Sequence, residues 1–204
     1  MRRPGKIICV GRNYREHAKE LGNEVPTTPV VFLKPPSSVI ADGEAVVLPQ
    51  GIGRIDFEGE IGLVIGTTIR KATPGQAAAA VRGVVAVNDI SARDLQKSDV
   101  QWWRAKGYDT FCPMGAEKQG TPDFADLELI TRVNGSVRQR GHSKDMLFAI
   151  PDLLSFISQA MTLEPGDVVI TGTPEGVGPL QAGDVVEVEV VGWSMVRSPV
   201  VADA

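Results

Sequence analysis

The stretch Phe57-Glu-Gly-Glu-Ile-Gly-Leu-Val-Ile65 sets two carboxylates, Glu58 and Glu60, two residues apart in a β-forming segment. Side chains at that spacing on a strand share a face, which leaves Phe57, Ile61, Leu63 and Ile65 as an apolar row on the other. The segment is thus a core strand that carries an acidic pair. Two like charges need a counter-charge, and a hard divalent cation such as Mg²⁺ or Mn²⁺ suits, because it takes oxygen ligands and keeps several waters. A second apolar run, Gly83 to Asp89, alternates Val85, Val87 and Asp89 onto one side and offers a third carboxylate. The same pattern also describes the solvated face of an antiparallel sheet with Asp89 capping a turn, so spacing alone leaves both readings open.

At 204 residues and 43% hydrophobic content, the chain can bury a core without disulfides or a structural metal. Residues 1–204 read as a single domain, since no linker-like or low-complexity stretch divides them. The 22 glycines and 14 prolines suit a turn-rich, mostly β chain. A net charge of −4 without a Lys/Arg cluster argues against a nucleic-acid partner. The basic start, Met1 to Lys6, precedes an apolar run of only Ile7 to Val10, too short for a signal peptide. No segment approaches the roughly 20 apolar residues that span a bilayer, so a cytoplasmic protein with no membrane partner is expected. Cys9 and Cys112 lack Cys-x-x-Cys pairing and read as buried reduced thiols.

Along the chain, strands are expected at Lys6–Val10, Val30–Leu33, Ala45–Leu48, Phe57–Ile65 and Val84–Asn88. Helices are expected at Tyr14–Leu21 with Asn13 as N-cap, at Pro74–Val81, at Ala92–Lys97 and at Pro151–Ala160. Leu153, Leu154, Ile157 and Met161 form the apolar stripe of the last. Leu127–Val133 and Ser136–Gln139 make a hairpin around Asn134-Gly135, the favoured type I′ pair. Leu163-Glu-Pro-Gly-Asp-Val-Val169 and Leu180-Gln-Ala-Gly-Asp-Val-Val186 are near-copies, each a tight turn feeding a strand. Strands outnumber helices without alternating βαβα order, which favours an α+β, mostly β class: a mixed β roll or barrel-like sandwich.

Other residues carry chemistry in outline. His17 and Glu20, three apart on a helix, can share a face, where a carboxylate orients an imidazole as a general base; a charged surface helix looks the same. Lys106 lies between Trp102, Trp103, Tyr108 and Phe111, either meeting an anionic substrate or keeping its head in water over an aromatic surface. The loop Thr171-Gly-Thr-Pro-Glu-Gly-Val-Gly-Pro179 offers free amides and the Thr173 hydroxyl to a carboxylate, but lacks the ending of a phosphate loop.

In order, the motifs Gly11-Arg-Asn-Tyr-Arg-Glu-His17-Ala-Lys-Glu20, Phe32-Leu-Lys-Pro35, Glu58-Gly-Glu60, Asn88-Asp-Ile-Ser-Ala-Arg93-Asp-Leu-Gln96, Ala105-Lys-Gly107 and Thr171-Gly-Thr-Pro174 resemble the fumarylacetoacetate hydrolase family. The resemblance is closest to its small branch of acylpyruvate hydrolases and oxaloacetate decarboxylases. It implies a mixed β roll, a homodimer, and Mg²⁺ or Mn²⁺ held by Glu58, Glu60 and Asp89. It further implies His17 and Glu20 as a water-activating dyad on a lid, with Lys106 beside the substrate. Arg93, Gln96 and Thr173 are then substrate contacts, as are Arg12 and Lys34 unless these two only hold loops in place. The substrate class is a small anionic oxo-acid. The activity expected is acylpyruvate hydrolysis through a pyruvate enolate, with oxaloacetate decarboxylation beside it; isomerisation or tautomerisation of a related oxo-acid is the alternative. A binding subunit without turnover remains open.

Overall fold

The computed structural model describes residues 3–20, 22 and 24–203. Its largest sheet runs in the order β10 (Lys118–Gln119), β7 (Val81–Asn88), β6 (Gly59–Ile65), β13 (Val168–Ile170), β1 (Ile7–Gly11), β2 (Val30–Lys34). Only β1 and β13 pair in parallel there. A five-stranded sheet follows the order β12 (Ser136–His142), β11 (Glu128–Val133), β15 (Val185–Val190), β16 (Ser194–Ala202), β4 (Val46–Leu48). Two small sheets complete the set: β14 (Gly178–Pro179), β5 (Ile55–Phe57) and β8 (Ser91–Ala92), and β3 (Val39–Ile40) with β9 (Cys112–Pro113). Five helices lie around them: α1 (Arg15–Glu20), α2 (Pro74–Ala79), α3 (Arg93–Ser98), α4 (Trp103–Lys106) and α5 (Ile150–Ala160). The fold is the mixed, mostly β α+β class expected, with no sheet among the described residues closing into a barrel. No described helix is long and apolar enough to cross a membrane.

Period-two patterning decides the packing. Phe57, Ile61, Leu63 and Ile65 all enter the main core, where they meet Leu129, Val133, Val186, Val188 and Val190 of the five-stranded sheet. Full burial of a side chain such as Phe57 stabilises the fold by about 1.5–3 kcal/mol. On the opposite face, Val64, Val85, Val87, Val168 and Ile170 join Cys9, Cys112 and Met114 in a second cluster. With apolar residues on both faces, this sheet has no solvated side at its centre. α5 closes one flank with Ile150, Leu153, Leu154 and Ile157 buried, and packs on α2. Thr73 and Gln76 form a capping box that starts α2.

Local chemistry accounts for the turns. Asn134 (φ 52) and Gly135 (φ 78) both take positive φ, as a type I′ turn requires. The two near-copies fold alike: Glu164 N donates to Asp167 Oδ2 and Gln181 N to Asp184 Oδ2, each at 2.8 Å, ahead of β13 and β15.

Three expectations change. The segment Phe57–Ile65 is not one strand: Glu58 falls between β5 and β6, which belong to different sheets. Its backbone bonds go to the end of β7 instead, Glu58 N to Asn88 Oδ1 (3.0 Å) and Asp89 N to Glu58 O (2.7 Å). The first helix begins at Arg15, and Asn13 is not shown capping it. Its amide ties two distant loops together, donating to Thr171 O (2.8 Å) and accepting from Phe148 N (2.9 Å). The expected helix end at Leu21 lies outside the described residues. Finally, α2 stops at Ala79, and Val81 already starts β7.

The crossing at Glu58 depends on Gly59. A Cβ there would sit 1.9 Å from Thr131 Oγ1 and 3.2 Å from Val188 Cγ1, between two packed sheets. Gly59→Ala should therefore cost about 1–3 kcal/mol of unfolding free energy, the usual scale for overpacking a core. Adding Thr131→Ala should recover part of that loss; urea titrations of the single and double variants measure both.

Candidate active site

Where the chain leaves β5 for β6 and where β7 ends, three carboxylates converge. Oxygens of Glu58, Glu60 and Asp89 all lie within 4.8 Å of one another, on residues no more than 4% exposed. This excludes the solvated-face reading. Lys106 Nζ donates to Glu58 Oε2 and Asp89 Oδ2, both at 2.6 Å, and Lys34 Nζ donates to Asp89 Oδ1 at 2.7 Å. Arg93 Nη1 lies 2.6 Å from Glu58 Oε1. Glu60 is different: its bond is with the Gly172 amide at 2.6 Å, and no cation among the described residues pairs with it.

These partners divide the pair electrostatically. Burial alone would raise the Glu58 pKa, but the Arg93 and Lys106 charges hold it well below the ordinary range. Burial, joined by the Asp89 and Glu58 charges, pushes Glu60 well above it. Burial would lower Lys106, yet Asp89 and Glu58 keep it firmly protonated. An all-oxygen donor set, buried and with one carboxylate lacking a cationic partner, fits a hard divalent cation.

The carboxylates form the floor of a cleft of about 530 Å³. Arg12, His17, Glu20, Arg93, Gln96, Lys106 and Thr173 line it with them, so ten of the eleven residues singled out from sequence face one cavity. The exception is Lys34, which does not line the cleft. It is 2% exposed and reaches Asp89 and Ile90 O from behind, a holding role rather than a substrate contact.

His17 is buried, with Nδ1 3.3 Å from Glu20 Oε2. Burial lowers its pKa, and the nearby Glu58 and Glu20 offset this only in part, so the imidazole is neutral at neutral pH. With Nδ1–H donating to Glu20, Nε2 keeps the lone pair that a base needs. Glu20 also accepts from the Gly176 amide at 3.1 Å, fastening α1 to the glycine-rich loop. That loop's amides thus serve protein carboxylates, Gly172 holding Glu60 and Gly176 holding Glu20. Thr173 is similarly engaged, its hydroxyl donating to Gly59 O and accepting from Gln139 Nε2. Lys106 lies 5.1 Å over the Phe32 ring with its head buried rather than wet. Arg12, at φ 58, sets its guanidinium 5.8 Å from the Trp102 ring centroid.

Several functional neighbours were not read from sequence. Asp56, fully buried, accepts from Arg93 Nε (2.8 Å) and Arg54 Nε (2.6 Å). It continues the alternation Asp56, Glu58, Glu60, a signal that was present. Gln139 supports both Gly59 and Thr173, but sits in a strand of otherwise polar, exposed character that gave no cue.

Comparison with known proteins gives the family. Residues 6–201 match the fumarylacetoacetate (FAA) hydrolase C-terminal family, and the chain belongs to that family. It is 44% identical to a mitochondrial oxaloacetate tautomerase of Arabidopsis thaliana, over 94% of this chain and 89% of the relative. It is 41% identical to a mitochondrial oxaloacetate decarboxylase of Dictyostelium discoideum, over 92% and 89%. The crystal structure of a 5-carboxymethyl-2-hydroxymuconate delta-isomerase from Mycobacterium smegmatis superposes with a TM-score of 0.91 at 44% identity, covering 99% of this chain and 80% of that one.

The raised Glu60 pKa gives a test of the cation site. Without metal, the folded protein keeps a proton that the unfolded chain releases above about 4.5, so this group's contribution to stability falls as pH rises beyond that value. Glu60→Gln should flatten that decline. It should also abolish the rise in Tm that Mn²⁺ gives the wild type, a gain of about 2.7 kcal/mol at 100 times Kd. Thermal melts across pH, with Mn²⁺ and with chelator, read both effects.

Proposed function

We propose that this protein is a metal-dependent enzyme of 2-oxo acid chemistry, acting on oxaloacetate by keto–enol tautomerisation and decarboxylation through an enolate. The observation that carries this reading is the buried Glu58, Glu60 and Asp89 cluster with protonated Lys106 against it. Relatives named for oxaloacetate tautomerisation and decarboxylation support the choice of substrate. Glu58, Glu60 and Asp89 would hold Mg²⁺ or Mn²⁺, which when bound would supply Lewis-acid chemistry at the 2-oxo acid end of the substrate.

The chain's own residues do the rest. Lys106 and Arg93 place positive charge beside the anionic substrate; Arg93 Nη2 is buried with no partner among the described residues, so a donor is available. Gln96, which accepts from Arg93 Nη1 at 2.9 Å, fixes the guanidinium plane. His17, neutral and oriented by Glu20, takes the C3 proton at Nε2 and in tautomerisation delivers it to the C2 oxygen, so that keto and enol interconvert with no net change in protons. The α1 segment over the cleft limits water around the developing anion. In decarboxylation the electron pair of the broken C–C bond passes to the enolate and CO₂ leaves, with no water consumed. The resemblance to dimeric family members supports a homodimer as the working assembly.

The His17–Glu20 pair favours a second reading, hydrolysis of acylpyruvates such as acetylpyruvate. There His17 takes a proton from water, and the hydroxide attacks the distal carbonyl to leave pyruvate enolate and a carboxylic acid.

Oxaloacetate and acetylpyruvate, each assayed with Mg²⁺ and then with chelator, test both readings. His17→Ala should reduce acetylpyruvate cleavage and oxaloacetate tautomerisation by roughly 10²-fold or more, the scale of a lost general base, while decarboxylation falls much less. Equal losses in all three would show that His17 positions the lid instead. No metal-dependent turnover of oxaloacetate by the wild type would overturn the first reading.

A further inference from the structure

Three cations that line the cleft, Arg12, Arg54 and Lys97, have no place in the chemistry above, and Arg54 is held differently from the other two. Arg54 lies at the cleft wall with its side chain 52% exposed, and both its Nε and Nη2 donate to Asp56, at 2.6 and 3.0 Å. Asp56 is fully buried and also takes Arg93 Nε at 2.8 Å, while Arg93 Nη1 reaches Glu58 at 2.6 Å. A chain of contacts therefore runs outward from the metal-binding carboxylates: Glu58, Arg93, Asp56, Arg54. The backbone fixes the same arrangement, because Arg93 N donates to Arg54 O at 2.8 Å. Gly53, at φ +78, lets Asp94 come so close that a Cβ would lie 1.9 Å from its Oδ2, and the Arg54 amide bonds that oxygen at 3.3 Å.

Asp56 holds the Nε–Nη2 edge of the Arg54 guanidinium, and Nη1 makes no hydrogen bond among the described residues. A planar fork already oriented by a buried carboxylate loses little freedom on taking a second carboxylate. The other rim cations lack this. Lys97 is exposed and makes no side-chain bond among the described residues, and Arg12 is laid over Trp102.

We propose that Arg54 reads the distal carboxylate of the substrate, so that the site selects 2-oxo dicarboxylates over monocarboxylates sharing the same 2-oxo acid end. This deepens the oxaloacetate reading and rests on it. Oxaloacetate differs from pyruvate by one such carboxylate, and Arg54 lines the same cleft as Glu58, Glu60 and Asp89.

Malate and lactate, unreactive 2-hydroxy acids that differ by the distal carboxylate, separate the two ideas. Calorimetry on the Mg²⁺-loaded wild type should give malate the tighter binding by roughly 10- to 100-fold, the scale of a charge-assisted hydrogen bond. Arg54→Ala should bring the two acids to within about 3-fold of each other while lactate affinity stays as in the wild type; Arg54→Lys should fall between. If Arg54 only braced Asp56 and Arg93, both acids would weaken together and their ratio would persist, which overturns the proposal, as would a wild type indifferent to the distal group. Oxaloacetate turnover is measured on the same samples. A malate preference that depends on Arg54, without turnover of oxaloacetate, would remove the oxaloacetate reading and leave the carboxylate-reading role of Arg54 in place.

Discussion

Burying three carboxylates within 4.8 Å of one another is the constraint around which this molecule is arranged. Isolated buried charges are costly, and a cluster of one sign more so. Three cations from three different elements answer it: Lys34 at the end of β2, Arg93 at the start of α3 and Lys106 at the end of α4. Their contacts satisfy Glu58 and Asp89 and leave Glu60 with one amide. The fold thus pairs two of the three carboxylates with cations and leaves Glu60 with none among the described residues, an arrangement that fits a hard divalent cation.

Much of this was legible from sequence because strand alternation is local. The apolar row Phe57, Ile61, Leu63 and Ile65, the third carboxylate at Asp89 and the Asn134-Gly135 turn all follow from residues adjacent in the chain. What escaped depends on partners far away in sequence. The break at Glu58 is decided by Asn88 and by the close approach of Thr131 to Gly59, neither visible in the strand itself. Asn13 has the right residue type and place for a helix cap, yet Thr171 and Phe148 claim its amide. Lys34 and Lys106 are both lysines near aromatics or prolines, and only the tertiary fold sends one behind Asp89 and the other to the cleft.

The break at Glu58 has a functional consequence. A single straight strand would keep both glutamates at a fixed strand spacing, facing the pleat's own neighbours. Changing sheets between β5 and β6 instead lets Glu58 turn toward Arg93 while Glu60 stays with the six-stranded sheet and its Gly172 contact. Residues two apart therefore have pKa values displaced in opposite directions, a common signature of a site rather than of a scaffold. Asp56, the preceding residue in the alternation, lies within the three-stranded sheet and carries the second guanidinium.

The α1 segment is built into the same network. Glu20 holds His17 Nδ1 and the Gly176 amide at once, and Gly172 in the same loop holds Glu60. The orientation of His17 and the position of Glu60 consequently share one loop, with Asn13 tying the start of α1 to Thr171 beside it. Asn13 and Glu20 thus fasten the two ends of the α1 segment to the loop that also holds Glu60.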